Sequence, residues 1–121
     1  MITSVNLIES YSFGRIRISG KEYSRDVVVT PDAVLDERWW RREGHALYVE
    51  DISRYVESYK PSVVVVGTGY FGVMKVSGEV EAYLREKGIE LIAMDTRRAV
   101  EEYNKRAERG ERVLGAFHLT C

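Results

Sequence analysis

The spacing of apolar residues changes along the chain, with a break near Pro61. Before it the period is mostly two. Phe13 to Gly20 alternates apolar and basic side chains, Ile16 and Ile18 against Arg15 and Arg17, as a strand with one solvated face requires. Gly20-Lys21 suits the turn that follows. Val27-Val28-Val29-Thr30 is a β-branched run halted by Pro31, which has no N–H to give to a ladder. The N-terminal third therefore predicts an antiparallel meander or hairpin. From Asp51 to Tyr59 the period lengthens. Ile52, Tyr55, Val56 and Tyr59 fall on one helical face, and Pro61 forces an exit.

Beyond Pro61 the pattern reads strand, helix, strand, helix, strand. Val63 to Val66 is a continuous apolar run, suited to a strand covered on both faces. Ser77 is placed to cap a helix from about Gly78 to Lys87, with Glu79 and Glu81 at its positive end, Arg85 and Lys87 at its negative end, and Gly88 as the stop. Ile89 to Met94 is a second buried strand. Thr96 is placed to cap another helix, with Ala99, Val100, Tyr103 and Ala107 on one face and Gly110 ending it. Val113 to Leu119 supplies the last strand. Two successive strand–helix–strand units imply parallel strands. The expected fold is α/β: a small layered fold with a mainly parallel sheet in the C-terminal half and an antiparallel β-rich N-terminal part. Neither a linker nor an internal repeat divides residues 1–121, so a single domain is expected.

Charge narrows the functional classes. Lys and Arg number 18 against 19 Asp and Glu, a net charge of −1. So balanced a surface gives no general electrostatic grip on nucleic acid or on an anionic membrane. The longest apolar run is too short to span a bilayer, and Met1 to Tyr11 lacks the basic start of a secretory signal. A cytoplasmic protein is expected. The single cysteine, Cys121, permits no intrachain disulfide, and with His45 and His118 as the only other soft ligands no metal site is expected. Gln is absent and only Asn6 and Asn104 carry side-chain amides, a bias that leans toward a thermophilic source.

The most specific motif is Gly67-Thr68-Gly69-Tyr70-Phe71-Gly72, a GxGxxG directly after a strand. Asp95 ends the next strand, 23 positions after Gly72, near where a ribose-binding acid belongs, with Arg97 and Arg98 following. Against a dinucleotide site, Val73 to Val76 intervene before the next helix, and no second half of a nucleotide-binding sheet follows. The other reading is a tight turn that lets the backbone leave its strand. A softer hypothesis places a small anion or nucleotide outside the strand ends, held by Gly67, Thr68, Gly69, Gly72, Asp95, Thr96 and Arg97, with the N–H groups at the Thr96 helix start as donors. Its alternative is that Thr96 only caps and the arginines are solvated.

Trp39-Trp40-Arg41-Arg42-Glu43-Gly44-His45 is the second cluster. Adjacent tryptophans on an extended segment face opposite ways, so one enters the core while the other meets an arginine or a partner surface. Trp39, Trp40, Arg41 and His45 are candidate partner-binding residues, since aromatic and arginine side chains dominate binding hot spots. The alternative is a core anchor followed by a solvated basic turn. No catalytic residues stand out. His118 lies in an apolar strand and reads as a hydrogen-bonded core histidine, and Cys121, three residues on, would face the opposite side of the strand.

Several of these elements occur in one order across nearly the whole chain: Tyr11 to Ile16, Trp39-Trp40-Arg41, Gly44-His45, Lys60-Pro61, Gly67-Thr68-Gly69, Thr96…Ala99…Tyr103-Asn104, and Gly115 to Cys121. Together they resemble the Mth domain family, a family of unknown function that includes small archaeal and bacterial proteins, the mitochondrial complex I assembly factor three and an adipogenesis-associated protein. The resemblance implies a compact α/β fold and no established activity, catalytic residue or cofactor. Its eukaryotic members work through protein partners. The expectation is therefore a non-enzymatic protein-interaction or assembly-type role, with small-anion or nucleotide binding as the alternative, no cofactor, and no nucleic acid or membrane partner.

Overall fold

Ile8–Ser12 (β1), Arg15–Ile18 (β2) and Lys21–Tyr23 (β3) form an antiparallel meander. The computed structural model describes residues 6–121; residues 1–5, which begin the Met1 to Tyr11 segment expected not to be a secretory signal, lie outside it. The alternation of Ile16 and Ile18 with Arg15 and Arg17 is borne out, the isoleucines buried and the arginines exposed. Phe13-Gly14, expected to open this strand, instead forms the turn out of β1, with Gly14 at φ 77°.

Val27–Val29 (β4) leaves the meander. All three valines are fully buried, so the run needs cover on both faces and joins a different sheet. Val34–Asp36 (β5) pairs with it, and Ala46–Leu47 (β6) leads into a helix, Val49–Tyr59 (α1), which starts two residues before the predicted Asp51. The Asp51 carboxylate accepts the Tyr48 N–H at 2.8 Å and so fixes that start. Lys60, left-handed at φ 54°, ends α1 by donating its N–H to the Val56 carbonyl.

The C-terminal half follows the predicted order: Val63–Thr68 (β7), a short Lys75–Val76 (β8), Gly78–Glu86 (α2), Glu90–Met94 (β9), Thr96–Glu108 (α3) and Val113–His118 (β10). β7, β9 and β10 are parallel, and the main sheet runs β5-β4-β10-β7-β9, antiparallel on its β4–β5 side. β6 and β8 pair separately. Two cores result, one on each face. Val63, Val65 and Phe117 meet α3 and the isoleucines of the meander, whereas Val64, Val66 and Leu114 meet α1, α2, Trp39 and Met74. Tyr103 on α3 meets Phe117 edge-on at 5.7 Å, and its hydroxyl donates to the Asn6 carbonyl. The carboxyl ends of β7, β9 and β10 thus open on one rim.

Candidate functional site

At that rim Thr96 is a junction rather than a cap. The cap of α3 is Asp95, whose carboxylate accepts the Arg98 N–H, and Thr96 is the first helical residue. The sequence reading is corrected there: the Thr96 side chain is fully buried, and its hydroxyl accepts the Gly69 N–H at 2.8 Å while donating to the His118 carbonyl at 2.6 Å. The Thr96 N–H donates to the Gly69 carbonyl at 3.0 Å. One residue ties the ends of β7, β10 and α3 together. Burial pushes the Asp95 carboxyl up, but hydrogen bonds from the Arg98 side chain and backbone outweigh it and hold the group below its ordinary value.

The glycine motif packs into the same junction. A Cβ on Gly67 would stand 2.7 Å from Thr96 Oγ1 and 2.9 Å from Phe117 Cδ1, so only glycine fits under α3. Gly69, at φ 108°, has the Cys121 backbone where a Cβ would go. The loop amides are engaged within the chain: Gly69 to Thr96, Tyr70 to the Thr120 carbonyl, Gly72 to the Gly69 carbonyl and Met74 to the Thr68 carbonyl. Thr68 is buried and Gly72 exposed. Gly67, Thr68, Gly69, Gly72, Asp95, Thr96 and Arg97 are therefore brought together, as the strand order predicts, but as a turn closed on itself. α2 begins six positions after Gly72, with β8 between, so the helix that follows the motif in sequence does not start beneath it; the α3 start that does meet it is bonded to Gly69.

Aromatic side chains crown this turn. Tyr70 lies 5.8 Å from Phe13, 5.0 Å from Phe71 and 6.4 Å from Tyr11, ring centre to ring centre. Phe71 is 69 % exposed and Phe13 51 %. The Arg97 guanidinium stacks on the Tyr70 ring at 4.9 Å and makes no ion pair among the described residues. Tyr11 anchors the group by donating its hydroxyl to the Leu119 carbonyl, and burial pushes its phenol up to about 12. The sequence reading missed this cluster. Its signal was Tyr70-Phe71 inside a glycine-flanked turn, where no core calls for two large rings.

The tryptophan segment divides as its alternation requires. Trp39 is buried, its indole N–H donating to the Asp51 carbonyl at 3.0 Å, while Trp40 is 76 % exposed. Arg41, expected at a partner surface, is a buried structural residue, and this corrects its accessibility. It lies 4.6 Å from the Trp39 ring, pairs with Asp26 at 2.8 Å and donates to the Gly44 carbonyl. Trp39 is likewise turned away from solvent. Asp26, not singled out in the sequence, also takes the Leu119 N–H at 2.8 Å and lies 2.8 Å from His118 Nδ1. The same Nδ1 lies 3.0 Å from an Arg41 guanidinium nitrogen, so Asp26, Arg41 and His118 form one close cluster. Burial raises the Asp26 carboxyl, yet the bonds from His118, Leu119 and Arg41 more than offset it, and its pKa falls below the usual carboxylate value. His118 is the hydrogen-bonded core histidine expected.

His45 is exposed, and its Nε2 lies 3.7 Å from the Cys121 sulfur, a partner that the sequence separation of 76 conceals. Thr120 belongs to both surfaces, since its carbonyl holds Tyr70 and it lines a shallow cavity of about 260 Å³ beside Trp40, Arg25 and Arg38. Among the described residues no three His, Cys, Asp or Glu side chains converge as metal ligands, and no helix is long and apolar enough to cross a membrane.

A family profile described as a protein of unknown function, DUF498/DUF598, matches residues 8–118. The chain belongs to that family. Solved structures agree in fold. A conserved hypothetical protein from Pyrococcus horikoshii is 28 % identical, with 94 % of this chain and 98 % of that one covered at a TM-score of 0.73. A protein from Bordetella parapertussis is 24 % identical, with 98 % and 99 % covered at 0.82. A Bordetella pertussis protein described as an Mth938-like domain is 21 % identical, with 98 % and 89 % covered at 0.76. The resemblance to the Mth domain family holds, and with it the family's status as one of unknown function.

Proposed function

We propose that this DUF498/DUF598 domain is a non-enzymatic partner-binding module, of the kind an assembly factor needs, and that the Phe13–Tyr70–Phe71 rim with Arg97 is its contact surface. The supporting observation is the exposed ring cluster itself. Burying two half-exposed phenylalanines is favourable at about 25 cal/mol per Å² of apolar area removed from water, and rings joined to an arginine are the usual anchors of an interface. Arg97, stacked on Tyr70 and in no ion pair among the described residues, suits an acidic group on the partner. The partner chemistry is therefore an apolar segment carrying a carboxylate. Trp40, across Thr120, extends the same surface.

The test is affinity capture from the native cell extract with wild type, Phe71→Ala, Arg97→Ala and Trp40→Ala. A partner lost in the first two variants supports the reading, and one retained in all three rules out this surface. Anion or nucleotide binding at Gly67–Gly72 and Asp95–Arg97 has less support, because the N–H groups of Gly69, Tyr70, Gly72 and Thr96 already have acceptors within the chain. A thermal-shift screen of nucleotides and phosphorylated metabolites tests that alternative, since a ligand selective for the folded state raises the melting temperature.

A further inference from the structure

The free edge of β9 differs from the other sheet edges of the molecule. Glu90 donates its N–H to the Ser62 carbonyl, and β9 pairs with β7 in unbroken register from Val63–Glu90 to Gly67–Met94. In such a ladder Glu90, Ile92 and Met94 turn their backbone groups toward β7, while Leu91 and Ala93 turn theirs outward. Exposed edges invite strand addition unless they are short, bulged, charged or covered. β5, at the other side of the sheet, has three residues and a register shift in its pairing. β3 carries Lys21 and Glu22, and on β1 the Asn104 side chain takes both the N–H and the C=O of Ile8. β9 has five residues, no proline or bulge, one charge in Glu90, and an exposed Ala93 at its outward position.

We infer that β9 pairs antiparallel with β9 of a second copy, about a two-fold axis at Ile92, to make a continuous ten-stranded sheet. The N–H and C=O of Leu91 in each copy bond those of Ala93 in the other, four hydrogen bonds in a self-complementary set. The rotation also brings the two α2 helices side by side and antiparallel. Arg85, which makes no ion pair among the described residues and lines a cavity beside the edge with Glu81, then faces the acidic side of the partner helix. A cation and an anion, Arg85 and Glu81, both without an ion pair among the described residues, are what an isologous contact pairs reciprocally, which favours a second copy over an unrelated strand. The net charge of −1 adds little repulsion between copies. β9 ends at the rim, three residues before Arg97, but the pairing uses the outward backbone of Leu91 and Ala93 and does not rest on the function proposed above.

Sedimentation of the full chain over a micromolar to submillimolar series tests it, with Ala93→Lys and Ala93→Pro as edge variants. Neither removes a bond to β7, and the lysine, at an exposed position, guards against misfolding by the proline. A second arm oxidises Ile92→Cys and, separately, Leu35→Cys on β5, each in a Cys121→Ser background. Ile92 would sit opposite its symmetry mate in a non-hydrogen-bonded pair at about 4.5 Å between Cα atoms, within disulfide reach. The expected result is a twofold rise in mass with concentration, its loss in Ala93→Lys, and cross-linking at Ile92→Cys only. A monomer throughout, a dimer that survives Ala93→Lys, or equal cross-linking at Leu35→Cys would overturn the pairing.

Discussion

The Thr96 hydroxyl accepts the Gly69 N–H at 2.8 Å, so the first residue of α3 closes the glycine turn after β7. The same oxygen donates to the His118 carbonyl, and its place is secured by glycine at position 67. Thr96→Val keeps the shape and removes both bonds. It is expected to cost about 1–3 kcal/mol, the penalty for leaving a buried donor and acceptor unmade. Urea unfolding should show a lower midpoint at unchanged slope, with Thr96→Ser closer to wild type.

Asp26 makes stability fall in acid. Its folded pKa lies below the ordinary carboxylate value, so its contribution is fully present above the unfolded pKa of about 3.9 and is lost as pH drops through the folded value. Asp26→Ala should cost about 3–5 kcal/mol at neutral pH by leaving buried Arg41 without its partner. Melting temperatures taken from neutral pH downward should decline more steeply for wild type than for the variant below about pH 4.

The two tryptophans should separate stability from binding. Trp39→Ala removes a buried ring and an indole hydrogen bond, and about 3–5 kcal/mol of destabilisation is expected. Trp40→Ala, at an exposed position, should stay within about 0.5 kcal/mol of wild type. Chemical denaturation of both variants checks the contrast.

Arg106 bonds Glu90, Glu102 and Glu111, each at 2.8–2.9 Å, and so joins β9, α3 and the turn before β10. Arg106→Ala should lower the melting temperature, and the difference from wild type should shrink in high salt as screening weakens the network. Melting curves at low and high ionic strength read this directly.

The strand and helix order after Pro61 was legible because each element carries its own period and stop, as Val63 to Val66 and Gly88 illustrate. The meeting of Gly67–Gly72 with Asp95–Arg97 followed from parallel strand order alone. What the sequence concealed depends on long-range bonding. Nothing local says that Thr96 faces inward to His118, 22 residues away, or that Asp26 lies beneath Arg41 and His118. Arg41 read as exposed, at a partner surface or in a solvated turn, because arginine usually is; the part-buried Asp26 carboxylate reverses that. β4 read as part of the meander because neighbours in sequence tend to pair, but three fully buried valines need a two-sided core. The aromatic rim was hidden because Tyr11 and Phe13 stand nearly sixty positions before Tyr70 and Phe71.

The rim over the glycine turn is the proposed protein contact surface. Photo-crosslinking in the native cell tests it most directly, with a benzophenone amino acid replacing Phe71 and, as control, the exposed Glu101 on α3. A discrete protein adduct at position 71, absent at 101 and diminished by Arg97→Ala, is the predicted result. Position 71 yielding no adduct, or the same adducts as position 101, would contradict it.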